Sequence, residues 1–254
     1  MDPRFLDLTD RVFVITGAGS GIGRETARLC NDLGAKLILL DKNEAGLEQT
    51  RDGMESGKCL CITLDLTSYD TIEEAVRKGV EHFGPLSGFC HCAGFEYTLP
   101  IRSMTPRHYQ ELFAVNTIAG FEMARVCSKK KFCSEAGASF VFIASIMGVV
   151  GRPGLTGYSA SKGALIAGMR SLALELANKK IRVNTVSPGT VMTDLIRKML
   201  DNLEPEQRDK RLGDFPLGIG EPADVANCVA FLFSPRSRWI TGSNIIIDGG
   251  YTAR

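Results

Sequence analysis

The sequence predicts an α/β protein: one doubly wound domain on a seven-stranded parallel sheet. Three observations predict it. Short apolar runs alternate with helix-period segments along the whole chain, an order that requires right-handed crossovers and covers a parallel sheet on both faces. The first apolar run leads into a glycine-rich turn that opens a helix. Finally, the 254 residues are 44% hydrophobic and 23% charged, with no linker-like stretch. A single domain over 1–254 follows, long enough to bury about three quarters of its unfolded surface.

The elements follow in order. Val12–Thr16 is a strand, and Ile22–Leu33 a helix closed by Gly34, a residue suited to the left-handed position after a helix. Lys36–Leu40 and Cys59–Leu64 are strands, separated by a helix over Glu44–Met54 and followed by one over Thr71–Phe83. Leu86–Cys92 is the fourth strand. A long helix is expected over Pro106–Phe132, with Thr105 as its N-cap before a proline that suits the first turn. Ser139–Ala144, Ile181–Ser187 and Asn244–Ile247 complete the strands, with helices over Gly157–Asn178 and Asp224–Phe233. Leu195–Phe215 is charged and weakly periodic. It lies after a strand end, where ligands of such sheets bind, so 190–220 is expected to be a substrate lid.

Gly17, Gly19, Gly21 and Gly23 form G-x-x-x-G-x-G around Ser20 and Ile22. Residues without side chains let a turn approach a pyrophosphate, and the helix N-terminus behind it offers free N–H groups and partial positive charge. Asp41 ends the second strand, 18 residues past Gly23. A carboxylate there accepts both adenosine ribose hydroxyls and repels a 2′-phosphate, which favours NAD over NADP. Lys42 beside it is a cation able to tolerate that phosphate, and capping the next helix is the other role open to Asp41. Asp65 and Leu66 end the third strand and are expected at the adenine, with a turn or cap role as the alternative for Asp65.

Tyr158 and Lys162 are four residues apart on one helix, so they share a face. A phenol titrates near ~10, and a nearby ammonium favours its ionised form. With Ser145 upstream, this pair beside a phosphate-cradling turn points to proton transfer coupled to hydride exchange at a carbonyl.

These residues resemble the short-chain dehydrogenase/reductase family from about Leu8 to Gly250. The glycine turn matches its T-G-x-x-x-G-x-G, Ser145 with Tyr158 and Lys162 its serine and Y-x-x-x-K, and Asn116 its catalytic asparagine. Ser187-Pro188-Gly189 and Thr193 match the nicotinamide-side segment, and Ile240-Thr241-Gly242 with Asp248-Gly249-Gly250 its C-terminal end. The resemblance implies a Rossmann fold. It makes Tyr158 the general acid or base, Lys162 the residue that tunes it and holds the nicotinamide ribose, Ser145 the partner of the substrate oxygen, and Asn116 the holder of a relay water. Cys92, Ala93, Gly94, Pro188, Gly189 and Val191 would line the cofactor. Two departures stand out: His91-Cys92-Ala93-Gly94 replaces the usual N-A-G, and Pro216–Pro222 lacks the arginine usual in bacterial 3-oxoacyl-carrier-protein reductases. The implied activity is NAD(H)-dependent interconversion of a secondary alcohol and a ketone. Oxoacyl-thioester reduction with either dinucleotide, and NAD binding without catalysis, are the alternatives. The resemblance also implies a homotetramer paired through the helices near Pro106–Phe132 and Gly157–Asn178.

A net charge of +1 gives no electrostatic case for nucleic acid or membrane partners. No apolar run approaches the ~20 residues a bilayer span needs. The eight cysteines include two C-x-C pairs in strand-like runs but no zinc spacing, so free thiols, no metal and a cytoplasmic location are expected. Substrate walls are expected from Phe95–Leu99, Met147–Leu155 and the region after Met192.

Overall fold

A computed structural model describes residues 6–253 except 203, 205, 207 and 209–211. Seven strands form one parallel sheet: β1 (Val12–Thr16), β2 (Lys36–Asp41), β3 (Cys59–Thr63), β4 (Gly88–His91), β5 (Ala138–Ile143), β6 (Ile181–Pro188) and β7 (Asn244–Ile247), in the order 3-2-1-4-5-6-7. The helices are α1 (Gly21–Asp32), α2 (Glu44–Arg51), α3 (Tyr69–Phe83), α4 (Pro106–Phe113), α5 (Ala119–Cys127), α6 (Thr156–Leu176), α7 (Asp194–Asp201) and α8 (Pro222–Phe233).

Both faces of the sheet are covered, which is why its strands read as unbroken apolar runs. Successive side chains go to opposite layers. Val12, Val14, Phe89 and Phe140 pack with α3, α5 and α6. Phe13, Ile15, Cys90 and Val141 pack with α1, α2 and α8, and the Phe13 ring stacks on Phe233 at 4.0 Å. Each such fully buried aromatic contributes about 1.5–3 kcal/mol. The chain order reverses between β1 and β4, so their C-terminal ends, Thr16 and His91, flank the crevice where such sheets bind ligands.

The expected helix over Pro106–Phe132 is not continuous. α4 passes into a π turn at Ala114–Ile118 before α5 resumes, and α5 stops at Cys127. Beyond it the chain turns, and Lys129 and Lys131 reach back to Glu73 on α3. The last residues expected in α6 form a tighter turn, Ala177–Lys179, closed by Lys180 in the left-handed region at φ 57°. Within 190–220, α7 is a regular helix, with Thr193 Oγ1 accepting from the Ile196 N–H at 3.4 Å. The part of the expected lid at 203, 205, 207 and 209–211 lies outside the described residues, as does the Leu195 side chain.

Candidate active site

The glycine turn is built by close approach. Gly17 has φ 66°, and a Cβ there would stand 2.7 Å from the Ala93 nitrogen; one on Gly23 would stand 2.1 Å from the Gly17 carbonyl. Ser20 leads into α1 with extended backbone, and no acid occupies the first helical turn, leaving the N-terminus open to an anion. Asp41 Oδ2 accepts from the Gly19 N–H at 2.9 Å, and its Oδ1 from the Asn43 N–H at 2.9 Å. The cap of α2 is Asn43, whose side chain accepts from Gly46 at 3.1 Å. Asp41 therefore joins the end of β2 to the turn.

Sequence reasoning missed Arg24. Its guanidinium donates to the Gly19 carbonyl, to Thr50 Oγ1 at 3.2 Å and to Gln49 Oε1 at 3.0 Å, bracing the turn against α2. Nothing in its spacing distinguishes it from an exposed helix arginine. Asp65 Oδ1 accepts from the Thr67 N–H and hydroxyl at 2.9 and 2.8 Å. These bonds, with a smaller contribution from Lys42, hold its carboxyl below the usual range. Leu66 buries its side chain in the core.

A cavity of about 510 Å³ opens at the C-terminal ends of β4, β5 and β6. Ser145, Tyr158 and Lys162 line it together with Ile22, Cys92, Gly94, Pro188, Gly189, Val191 and Thr193. Ser145 follows β5, and its Oγ accepts from the Met147 N–H at 3.1 Å. Lys162 is buried and donates to the Ile143 carbonyl at 2.8 Å, with Nζ 5.8 Å from the centre of the Tyr158 ring. Burial pulls this ammonium down to about 8.

The expectation of an acidified phenol fails in this state. Burial pushes Tyr158 up to about 12, Glu96 adds to the rise, and the only opposing influence is the hydrogen bond from Ser145. Spacing brings the amine to the same face, 5.8 Å from the ring centre, but enclosure dominates the phenol.

Asn116 sits in the π turn, fully buried. Its Nδ2 donates to the Phe95 carbonyl and Ser161 Oγ, each at 3.0 Å, and its Oδ1 accepts from the Phe95 N–H at 3.0 Å. The amide is thus engaged with protein groups. A Cβ on Gly94 would lie 3.0 Å from Asn116 Oδ1 and 3.1 Å from Lys162 Nζ, so a side chain at Gly94 would fill the space between them. The missing asparagine at Cys92 is answered by its neighbour. His91 Nε2 faces the Val115 carbonyl at 3.1 Å, and Nδ1 faces Thr16 Oγ1 at 2.9 Å. A carbonyl only accepts, so Nε2 carries the proton and Nδ1 takes the threonine hydroxyl. The Ala93 N–H donates to the same threonine oxygen at 3.3 Å. Burial, then the Lys162 charge, drives His91 down to about 3; it is a neutral tie between β1, β4 and the π turn. Cys90 and Cys92 lie 3.3 Å apart at sulfur as free thiols.

Phe95, Glu96, Thr98, Met147, Arg152 and Leu155 form the expected walls. Tyr97 and Val149 do not. Tyr97 donates to Glu111 Oε2 at 2.6 Å, and Val149 faces outward. Phe215 and Tyr251, their rings 4.9 Å apart and tilted by 31°, close the far side with Ile196 and Met199 of α7. Tyr251 was not legible as a wall, because the C-terminal tail returns to the cavity only through the fold.

A phenol, a hydroxyl and a buried amine in one cavity, joined to a glycine turn at a sheet crevice, define a dinucleotide-dependent α/β enzyme. The comparisons agree. Residues 17–252 match the family profile described as enoyl-(acyl carrier protein) reductase. The chain is 35% identical over 247 residues to a 3-oxoacyl-(acyl-carrier-protein) reductase of Rickettsia conorii, covering 96% of this chain and 98% of the relative. It is 30% identical over 249 residues to an NAD-dependent glycerol dehydrogenase of Listeria innocua, covering 98% and 96%. A Brucella melitensis crystal structure titled short-chain dehydrogenase/reductase, glucose/ribitol dehydrogenase, superposes with a TM-score of 0.89 at 31% identity, covering 97% and 98%. The chain belongs to the short-chain dehydrogenase/reductase family, an oxidoreductase family that binds a nicotinamide cofactor. Among the described residues no helix is long and apolar enough to cross a membrane.

Proposed function

We propose that the protein interconverts a secondary alcohol and a ketone with NAD(H). The observation that carries this reading is the convergence of Ser145, Tyr158 and Lys162 on the cavity that Ile22, Gly94 and Gly189 also line. The crowded glycines and the acid-free start of α1 fit a pyrophosphate, with Gly17, Gly19, Ser20, Gly21, Ile22 and Gly23 around it and Asp41 at the adenosine ribose. Asp65 and Leu66 border the adenine; Cys92, Ala93, Gly94, Pro188, Gly189, Val191 and Thr193 border the nicotinamide. The bound nicotinamide supplies or accepts the hydride.

Tyr158 gives its proton to the carbonyl oxygen in reduction and removes it from the alcohol in oxidation. Ser145 donates to the same oxygen as charge develops there. Lys162 holds the ribose and favours the ionised phenol, an effect that must offset the burial of Tyr158. Asn116 and Lys162 flank Gly94, the passage a relay water would use. Met147, Leu155 and Phe215 favour an apolar body on the substrate, and Glu96 and Arg152 meet polar groups at the mouth.

Asp41 supports NAD. Two like charges ~4 Å apart repel by about 4 kcal/mol at an effective dielectric of 20, and a third of that is about tenfold in affinity. Arg24, the nearby buried-side cation, is committed to Gly19 and Thr50. Steady-state kinetics with both reduced cofactors test this: NADH is expected to win by at least about tenfold in kcat/KM, and an NADPH preference overturns it. The Rickettsia relative keeps a second substrate open, a 3-oxoacyl thioester. A panel of polyols, simple ketones and oxoacyl thioesters separates the two. We further propose one cytoplasmic domain acting as a homotetramer, with the segment around α7 closing over the substrate.

A further inference from the structure

The sheet has a second cleft at its other end. Arg11 immediately precedes β1, while Ala138 and Ile181 open β5 and β6; these residues line a cleft of about 580 Å³. The catalytic cavity lies at the opposite strand ends, one strand length or about 20 Å away. Among the described residues, Arg11, Lys180, Arg182 and Arg238 line the cleft, and no carboxylate does. Among the described residues, none of these four cations pairs with an acid.

The floor is organised rather than merely basic. Arg11 Nη1 donates to the Phe233 carbonyl at 2.8 Å and Arg182 Nη2 to the Leu232 carbonyl at 2.6 Å. Both are carbonyls at the end of α8. Arg182 also donates through Nη1 to the Ile240 carbonyl at 3.4 Å and through Nη2 to the Ser234 carbonyl at 3.5 Å, so the two half-buried guanidiniums are held side by side, Arg11 through one Nη and Arg182 through both. These bonds do not neutralise them: burial first, and then the charge of Arg11, lowers Arg182 to about 10. Like charges fixed together in a cleft are relieved by an anion, and a guanidinium fork matches phosphate oxygens. At the rim stands Trp239, the chain's single tryptophan, 89% exposed. An indole held in water beside cations offers a planar face for a nucleobase to stack on.

We propose that this cleft is a second ligand site for a small phosphorylated molecule bearing a planar ring, a nucleoside di- or triphosphate. The phosphates meet Arg11, Arg182, Lys180 and Arg238, and the ring lies on Trp239. Nothing in this assignment depends on the dinucleotide turn or on catalysis.

Because the chain has one tryptophan, its indole signal reports on the cleft directly. ATP, tripolyphosphate and adenosine are titrated separately into the whole protein, following the indole N–H resonance and the fluorescence. ATP is expected to move both with a Kd of about 1 mM or tighter. Tripolyphosphate is expected to bind more weakly, and adenosine more weakly still. The double variant Lys180→Asn with Arg238→Glu, both exposed, is expected to weaken ATP at least about tenfold while oxidoreductase turnover stays unchanged. Asparagine suits the left-handed backbone at 180. The proposal falls if the indole does not respond. It also falls if the response survives the double variant, as it would for ATP bound at the glycine turn. Adenosine matching ATP would remove the phosphate role, and tripolyphosphate matching ATP the ring role. A change in oligomeric mass in Trp239→Ala would show the indole to be covered by a second copy instead.

Discussion

Single residues set the titration behaviour of this protein. Tyr158 is expected to be indispensable: Tyr158→Phe keeps the fold and lowers kcat by about 10²–10⁴-fold, measured with any substrate the wild type turns over. Activity within a few-fold of wild type would refute its role. Ser145 supplies the one hydrogen bond that lowers the phenol, so Ser145→Ala should raise it further and move the ascending limb of alcohol oxidation, where the base ionises, to higher pH, with kcat reduced by roughly 10²-fold. His91 carries a stability prediction. Its imidazole titrates near 6.5 when unfolded and near 3 in the fold. Between those values the unfolded chain binds the extra proton, so stability falls as pH drops from about 6.5 to 3. Urea unfolding across that window should show a steeper acid loss for wild type than for His91→Asn, and parallel curves would exclude the histidine as the source.

At the scale of elements, the glycine turn is the least forgiving segment. Gly23→Ala puts a methyl where the Gly17 carbonyl stands. It is expected to cost about 1–3 kcal/mol and to abolish dinucleotide binding, read by thermal shift and by fluorescence of reduced cofactor. Most elements were legible in the sequence because a parallel sheet buried on both faces writes its strands as continuous apolar runs, such as Phe13-Val14-Ile15 and Phe140-Val141-Phe142. The turn, Asp41 and the Tyr158–Lys162 pair were legible because each chemistry demands a residue type at a fixed spacing. The π turn was not. It changes which carbonyl each N–H meets, and Ala114–Ile118 has the composition of ordinary helix. The Tyr158 shift was also hidden, since the burial that dominates it belongs to the assembled cavity. α7 falls within the stretch whose periodicity is weak in the sequence, because its charged residues mask a short amphipathic helix that Thr193 caps.

At the scale of the whole molecule the two clefts lie at opposite ends of the sheet. Reactive groups gather where the strands finish, at the reversal between β1 and β4, while the strand starts carry the cationic cleft. Assembly belongs to this scale. If copies pair through α4–α5 and α6, light scattering should give close to four times the 27.6 kDa chain. Charged substitution of Leu174, an 81% exposed apolar residue on α6, should lower that mass. A monomer in both proteins would remove the oligomer from the account.

The wide turn between α4 and α5 also constrains how this chain can change length. One helical residue corresponds to about 100° of rotation, but a single π turn absorbs one extra residue while its flanking helices stay in phase, so deleting one of positions 114–118 would restore regular winding and keep Met123, Ala124 and Cys127 facing the core. It would still carry Asn116 away from Phe95 and Ser161. Shortening here, by even a single position, therefore spares the core and loses the active-site geometry at Asn116.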